Sequence, residues 1–358
     1  MSLTCYKYRL PFKTPLHTAS GTFDHRAGLI LHLKSSGQSF FGEAAPLPTF
    51  SLETLDEVIY WLIHHRNKIE AILSDERPYN RLIEFTNNQN PPPALQFGLD
   101  ALALQKVSHL NEVSLQQQLF SKAVNQIPLN ALGDLHADHC LKEVKSITNQ
   151  GYKTIKFKVG MDIEHEIWQL HRIRKKHPKL SIRLDANQAW SPIAARHHCQ
   201  KLEELNIEYC EEPLSEPTAT NYRFLTEHTS LPLALDESTR QLNNWRELLS
   251  YSSAVILKPM LLGSFTTNLE TKQLAETLDN KTVFSTSLES GIGRWFTAIL
   301  ASGSENIQTA HGLATGTLLT KDVYPDKPYI YDGSYHFDNR QRLRPDTNHL
   351  ERVSERLF

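Results

Sequence analysis

Long apolar runs, excess charge and signal-like segments are all scarce in this 358-residue chain. The net charge is −2, from 38 Lys and Arg against 40 Asp and Glu, with no block of like charges. We therefore expect neither a nucleic-acid partner nor binding to an anionic membrane. The longest apolar run, Val58 to Ile63, is too short to span a bilayer. The first residues, MSLTCYKYRLPF, lack the apolar core of a signal peptide, so we expect a cytoplasmic protein.

Cysteine is scarce as well, with only four residues and no CxxC spacing, namely Cys5, Cys140, Cys199 and Cys210. This usage fits a reducing compartment and excludes a disulfide scaffold or a zinc site built from thiolates. A glycine-rich phosphate loop is also missing after the first strand-like run of the C-terminal part, which argues against a dinucleotide-binding fold.

The first hundred residues predict a separate α+β unit. Alternating residues at 29–33, followed by the turn Ser35-Ser36-Gly37, indicate an antiparallel sheet. Helices are predicted from about Glu53 to Leu73 and from Ala94 to Val107. Because 358 residues exceed one ordinary compact core, we predict a capping domain over 1–110, with 325–358 packing back on it.

A different sequence pattern begins at residue 127. Short apolar and β-branched runs start about 25 residues apart, which is the length of a strand-plus-helix unit. The runs are Ile127–Leu132, Thr154–Val159, Ser181–Leu184, Ile207–Cys210, Leu231–Leu235, Ala254–Leu257, Thr282–Ser285 and Ile307–Thr309. Eight repeats predict a parallel α/β barrel over 111–324, of the (β/α)7β TIM-barrel type because the last helix is uncertain. An open doubly wound sheet is the alternative.

Charged side chains recur where the predicted strands end, and barrel enzymes carry their catalytic groups at those ends. In order along the chain they are Lys158, Asp185, Glu211, Asp236 and Lys258. Strand alternation points all of them into the barrel mouth. Three carboxylates facing one another repel unless a cation lies between them, and their oxygens suit a hard divalent ion, Mg²⁺ with Mn²⁺ as an alternative. We therefore predict Asp185, Glu211 and Asp236 as metal ligands.

The two lysines lie on either side of these carboxylates in chain order. A lysine beside a divalent cation and a second ammonium has its charged form disfavoured, so it can act as a base. We predict Lys158 and Lys258 as catalytic residues for proton abstraction next to a substrate carboxylate. A small-molecule carboxylate is therefore the expected partner.

The motifs KFK (156–158), DAN (185–187), EEP (211–213), DES (236–238) and KP (258–259) resemble the muconate-lactonising branch of the enolase superfamily. Within that branch GEAAPLP (42–48) and STSLES (285–290) are similar to the o-succinylbenzoate synthases of menaquinone biosynthesis. The resemblance implies loss of water from 2-succinyl-6-hydroxy-2,4-cyclohexadiene-1-carboxylate. In it Lys158 would take the proton and return it to the leaving hydroxyl, while Lys258 would stabilise the enediolate.

Further candidates for substrate binding come from positions near this edge. Lys156 and Arg183 share the inward face and could hold anionic oxygens, or could instead support Glu211 and Asp185. Asn187 could touch substrate or orient a ligand. Ser287 and Gly291 precede a predicted helix, whose N-terminal amides could bind the succinyl carboxylate.

Other functions remain open at this point. A racemase or epimerase of the same superfamily, acting on N-acylamino acids or dipeptides, would use the two lysines as acid and base on opposite faces. Dipeptide epimerases carry an acidic motif after the eighth strand, whereas AHGLATG (310–316) has no carboxylate there. A Schiff-base aldolase and a non-catalytic binding barrel are less compatible with three carboxylates between two lysines.

Overall fold

The N-terminal unit is an antiparallel sheet covered by helices. The computed structural model describes residues 1–18, 21–304, 306–325, 329–338, 343–348 and 350–353. The sheet has the order β14-β1-β2-β3, with strands Ser2–Thr18 (β1), Gly21–Ser35 (β2), Gln38–Ala44 (β3) and Glu351–Arg352 (β14). The helices are Leu55–Ser74 (α1), Pro78–Gln89 (α2), Pro93–Leu110 (α3) and Leu115–Leu119 (α4).

Local sequence explains where these helices begin. Thr54 and Glu57 form a capping box at the start of α1, close to the predicted beginning of this helix at about Glu53. Proline opens both α2 and α3, where its missing N–H costs nothing. Helix α3 is buried on nearly every side because it lies between β3 and the helices of the barrel.

The C-terminal unit is built on a parallel sheet. In the described residues its strands run in the order β5 to β11. They are Asn130–Gly133 (β5), Thr154–Lys158 (β6), Ser181–Asp185 (β7), Tyr209–Glu211 (β8), Leu233–Leu235 (β9), Ala254–Leu257 (β10) and Lys281–Phe284 (β11). A short strand, Gln126–Pro128 (β4), precedes them.

Helices alternate with these strands along the chain. They are Cys140–Asn149 (α5), Ile163–Lys176 (α6), Pro192–Leu202 (α7), Ala219–Thr226 (α8), Ser238–Gln241 (α9), Pro259–Leu262 (α10), Phe265–Thr277 (α11) and Gly291–Ala301 (α12). Short 3₁₀ segments occur at Glu203–Leu205, Trp245–Tyr251 and Ala314–Leu318. The predicted α/β barrel with an α+β capping domain is thus confirmed.

The eighth strand of the prediction is wrong. Residues 307 and 308 lie in a turn, and Ile307 is 55% exposed, so this short run does not form a strand of the barrel wall. The ring is completed by isolated parallel bridges from Leu129 to His311 and from Ser285 to Gly312. A few backbone hydrogen bonds therefore close the gap between β11 and the first strand.

The C-terminal residues contribute to both units. Strands Ile330–Tyr331 (β12) and Ser334–His336 (β13) form a small sheet with β4. Farther along, β14 pairs with β1 through Tyr6 and Arg352. Much of the segment 325–358 lies outside the described residues. No helix in the described part of the chain is long and apolar enough to cross a membrane.

Candidate active site

Charged residues meet at the C-terminal edge of the parallel sheet. Lys158, Asp185 and Glu211 are the last residues of β6, β7 and β8, and they stand side by side in the strand register. Asp236 directly follows β9, and Lys258 directly follows β10. The five positions predicted from strand ends therefore lie along one edge, with the three carboxylate-bearing strands between the two that carry lysines.

Two lysines are held by these carboxylates. Lys156 Nζ lies 2.9 Å from Asp185 Oδ2 and 2.7 Å from Glu211 Oε2. Lys258 Nζ lies 2.6 Å from Asp236 Oδ2. Lys158, in contrast, is exposed and makes no hydrogen bond or ion pair within the described residues. Its amine is therefore free to meet a substrate at the barrel mouth.

Burial and mutual repulsion set the protonation of the carboxyl groups. Burial raises the pKa of Glu211 to about 8, although Lys156 opposes the shift. Burial acts in the same direction on Asp185, but there the neighbouring Lys156 outweighs it and lowers the pKa. Burial also disfavours the charge of Lys156, yet Asp185 and Glu211 raise the pKa of that ammonium well above its usual value. The single positive charge of Lys156 therefore lies between two carboxyl groups, Asp185 and Glu211, and cannot neutralise both.

The donor set fits a hard divalent cation. Asp185, Glu211 and Asp236 offer only carboxylate oxygens, the ligands that Mg²⁺ prefers. Asp236 Oδ1 is buried with no hydrogen-bond partner in the described residues, an arrangement that is costly unless a cation satisfies the oxygen. Among the described residues no group of three His, Cys, Asp or Glu side chains is arranged to hold a metal ion, and Asp185, Glu211 and Asp236 are each paired with a lysine.

Arg183 does not reach the mouth of the barrel. Its side chain is buried and donates to both oxygens of Glu208, at 2.9 and 3.1 Å, and to the carbonyl of Ala310 at 2.7 Å. The guanidinium also lies over the ring of Tyr209. The side chain is thus engaged inside the barrel, which favours the supporting role that the sequence left open, and the substrate contact of Arg183 stays a prediction. Lys156 is likewise engaged with ligand candidates, as described above.

Asn187 is turned toward another acidic residue. Its side chain donates to Glu237 Oε1 at 3.2 Å, and its backbone adopts φ of 43°. Gln188 follows with φ of 61° and donates to Gln241, so two consecutive left-handed residues shape this turn after β7. Burial, then repulsion from Asp236, raises the pKa of Glu237 to about 7.

The N-terminus of α12 is filled by the chain itself. Gly291 N–H donates to Asp322 at 3.0 Å, and Arg294 forms a buried 2.5 Å ion pair with the same carboxylate. Ser287 donates from its amide and its hydroxyl to Glu289 Oε2, at 2.6 and 2.9 Å. These donors already have internal carboxylate partners, and the contacts of Ser287 and Gly291 with a substrate carboxylate stay a prediction.

Sequence reasoning missed the buried glutamates that shape the site. Glu212, fully buried, accepts from the amides of Asp236 and Ser238 and from the hydroxyl of Ser238, so it fixes the turn that carries Asp236. Its place in the EEP motif was visible, but only its neighbour Glu211 was considered. The role of Asp322 had no sequence signal, since it depends on chain segments brought together by folding.

Comparison with known proteins places the chain in a family. Residues 139–341 match the model described as enolase C-terminal domain-like, and residues 1–105 match the one described as the MenC N-terminal domain. The chain belongs to the enolase C-terminal domain-like family. Relatives named o-succinylbenzoate synthase, from Yersinia pestis and Yersinia pseudotuberculosis, are each 28% identical over 337 residues, which is 91% of this chain and 94% of theirs. The predicted resemblance is thereby confirmed.

Solved structures of the family share the fold at low identity. A muconate lactonizing enzyme from Pseudomonas fluorescens aligns with a TM-score of 0.81 and 20% identity, covering 99% of this chain and 97% of its own. An N-succinyl Arg/Lys racemase from Bacillus cereus gives 0.80 and 19%, covering 94% and 92%. A dipeptide epimerase from Enterococcus faecalis gives 0.76 and 22%, covering 90% and 92%. These similarities establish the fold. The reaction has to be inferred from the residues of the site.

Proposed function

We propose that this chain is a Mg²⁺-dependent o-succinylbenzoate synthase, which removes water from 2-succinyl-6-hydroxy-2,4-cyclohexadiene-1-carboxylate. The observation that carries the proposal is the placement of Lys158 and Lys258 on strands flanking Asp185, Glu211 and Asp236. The choice within the family is supported by the match of residues 1–105 to the MenC N-terminal domain and by the synthase relatives.

Lys158 and Lys258 have different roles in the proposed reaction. The amine of Lys158 takes the proton α to the ring carboxylate, and the C–H electrons move into that carboxylate to form an enediolate. Lys258, paired with Asp236, stabilises the new negative charge. The electrons then return to expel the hydroxyl, which leaves as water with the proton from Lys158, and the ring becomes aromatic. Mg²⁺ held by Asp185, Glu211 and Asp236 would supply further positive charge for the enediolate.

The ion pairs support different roles for the three lysines. Lys156 is engaged with Asp185 and Glu211, which favours a role in holding those carboxylates over a role as the base. Lys258 has a single carboxylate partner, Asp236, which favours a role in stabilising negative charge on the substrate. Lys158, with no such partner among the described residues, is the candidate base.

An ultraviolet assay with the cyclohexadiene substrate tests this proposal. We expect formation of the aromatic product with Mg²⁺ and its loss with excess chelator, restored when Mg²⁺ is added back. Heat-inactivated protein with Mg²⁺ controls for spontaneous dehydration. A protein that binds Mg²⁺ but does not turn over this substrate would contradict the synthase assignment.

A second candidate is racemisation of N-acylamino acids by the same lysines. It is favoured by the shared fold with a protein described as an N-succinyl Arg/Lys racemase. Exchange of the α-proton in deuterated water would detect it, with solvent deuterium entering both enantiomers. We place it second because the synthase relatives align over 91% of the chain and residues 1–105 match the MenC N-terminal domain.

A further inference from the structure

A buried glutamate organises the turn that follows Lys158. Glu166 lies in the first turn of α6 and is fully buried. Its Oε2 accepts the amide of Gly160 at 2.8 Å, and its Oε1 accepts the amides of Met161 at 3.0 Å and Asp162 at 3.2 Å. His136 Nε2, from the segment after β5, donates to the same Oε1 at 3.1 Å. One carboxylate thus collects four donors, three of them from consecutive residues.

These hydrogen bonds act on the chain directly beside the candidate base. Val159 N–H donates to the carbonyl of Asp185, which ties the end of β6 to β7. Gly160 then turns with φ of +111°, where an added Cβ would lie 2.8 Å from Ala189 Cβ. From Lys158 onward the backbone is therefore fixed on one side by the neighbouring strand and on the other by Glu166.

Helix capping alone does not account for Glu166. The N-cap of α6 is Asp162, whose side chain already accepts the amide of His165 at 3.2 Å. Glu166 instead reaches backward, past the helix start, to the amides of the turn. Burying a carboxylate is costly unless it is fully hydrogen-bonded, and here each oxygen is satisfied by the turn or by His136.

We propose that Glu166 is a positioning residue for Lys158. Its carboxylate holds the turn 160–162 rigid, and through that turn it keeps the amine of Lys158 aimed at the substrate carbon. The inference rests on the proposed function, in which Lys158 is the base. Because Glu166 acts through backbone amides and is buried away from solvent, it does not touch substrate.

Glu166→Gln tests the proposal, because the amide nitrogen of Gln cannot accept from the turn. We expect kcat to fall at least tenfold with KM within twofold, and the isotope effect on kcat with α-deuterated substrate to rise as proton transfer slows. Glu166→Asp retains the charge but is one methylene shorter, so its kcat should lie between those of Glu166→Gln and the unsubstituted protein. The matched control is Glu164→Gln, an exposed residue of the same helix turn that pairs with Lys201. Its kcat, KM and isotope effect should match those of the unsubstituted protein.

A second readout does not require turnover. Methyl acetimidate modifies lysine amines, and peptide mass spectrometry gives the rate at Lys158 alone. We expect that rate to rise at least threefold in Glu166→Gln, since the freed side chain meets the reagent more often, with no change in Glu164→Gln. Absence of turnover in the unsubstituted protein would remove the proposed function but leave this measurement valid. If kcat and labelling at Lys158 both match the Glu164→Gln control in folded Glu166 variants, the positioning role is refuted.

Discussion

Glu43 of the capping sheet and Ser290 at the start of α12, 247 positions apart in sequence, are joined by two hydrogen bonds. Ser290 N–H donates to Oε1 at 2.9 Å, and its hydroxyl donates to Oε2 at 2.5 Å. The same carboxylate accepts from Tyr8 and from the amide of Gly293. Ser290 belongs to the segment between β11, a strand of the parallel sheet, and α12. Its hydrogen bonds to Glu43 therefore fix the capping domain against the barrel.

Ser290→Ala should therefore destabilise the protein more than an ordinary surface substitution. It removes a hydrogen bond to a buried carboxylate and the N-cap of α12, where Ser290 Oγ accepts the amide of Ile292. We expect the free energy of unfolding to fall by about 1–3 kcal/mol, measured by urea denaturation. Ser121→Ala, at an exposed turn, is the control. Equal stability of the two variants would show that the contact does not couple the units.

The sequence located the strand ends because their pattern is local. In 154–159 and 181–185 apolar residues alternate with charged ones, so the inward face and the last residue of each strand could be predicted. The alternation of apolar and charged residues shows which face of a strand a side chain lies on, but not how far it lies from the C-terminal end of the barrel. Arg183 faces inward like Asp185 but lies two residues earlier, about 6.6 Å deeper along the strand, where Glu208 neutralises it.

Contacts between distant segments could not be predicted in this way. Gly291 precedes a helix, as expected, but only folding brings Asp322 onto its amide. Helix α2 was missed because many of its residues are exposed and polar, which weakens the helical period. The eighth strand was misplaced because Ile307 lies exposed in a turn, whereas the residues that bridge to the neighbouring strands are His311 and Gly312.

The two-lysine mechanism predicts that Lys158→Ala and Lys258→Ala each reduce dehydration by about 10²–10⁴-fold, as removal of an acid–base group does. Loss of a side chain at the mouth should leave the fold intact, which circular dichroism would check. Lys153→Ala is the control, since Lys153 is exposed at the opposite end of the same strand. Turnover near the unsubstituted level in either active-site variant would refute the mechanism.

Metal binding can be tested apart from catalysis. Removing residues that only support a metal ligand costs 10–100-fold in affinity, so replacing a ligand should cost at least about tenfold. We expect Asp185→Asn and Asp236→Asn each to weaken Mg²⁺ binding by that factor in isothermal titration calorimetry. Asp279→Asn, at an exposed left-handed turn that Asn tolerates, should bind as the unsubstituted protein does. Unchanged affinity in both site variants would contradict the ligand assignment.

Asp100 makes the contact between α3 and α11 sensitive to pH. Its Oδ2 accepts the amide of Phe265 at 2.9 Å, while Oδ1 is buried with no hydrogen-bond partner in the described residues. Burial raises the pKa of Asp100 from 3.8 to about 7. The folded state therefore binds more protons than the unfolded state between about pH 4 and 7, so this residue's contribution to stability is present in acid and is lost as pH rises through 7.

Asp100→Asn should remove this dependence, because Asn cannot ionise and its carbonyl can still accept from Phe265. The free energy of unfolding of the variant, relative to the unsubstituted protein, should rise on going from pH 5 to pH 8 by on the order of 1–4 kcal/mol. Urea denaturation at both pH values, with chelator present, measures the difference. Asp56→Asn, an exposed position at the start of α1, corrects for general effects of charge. A relative stability that stays constant, or falls, between the two pH values would mean that Asp100 is ionised in the folded protein at pH 5.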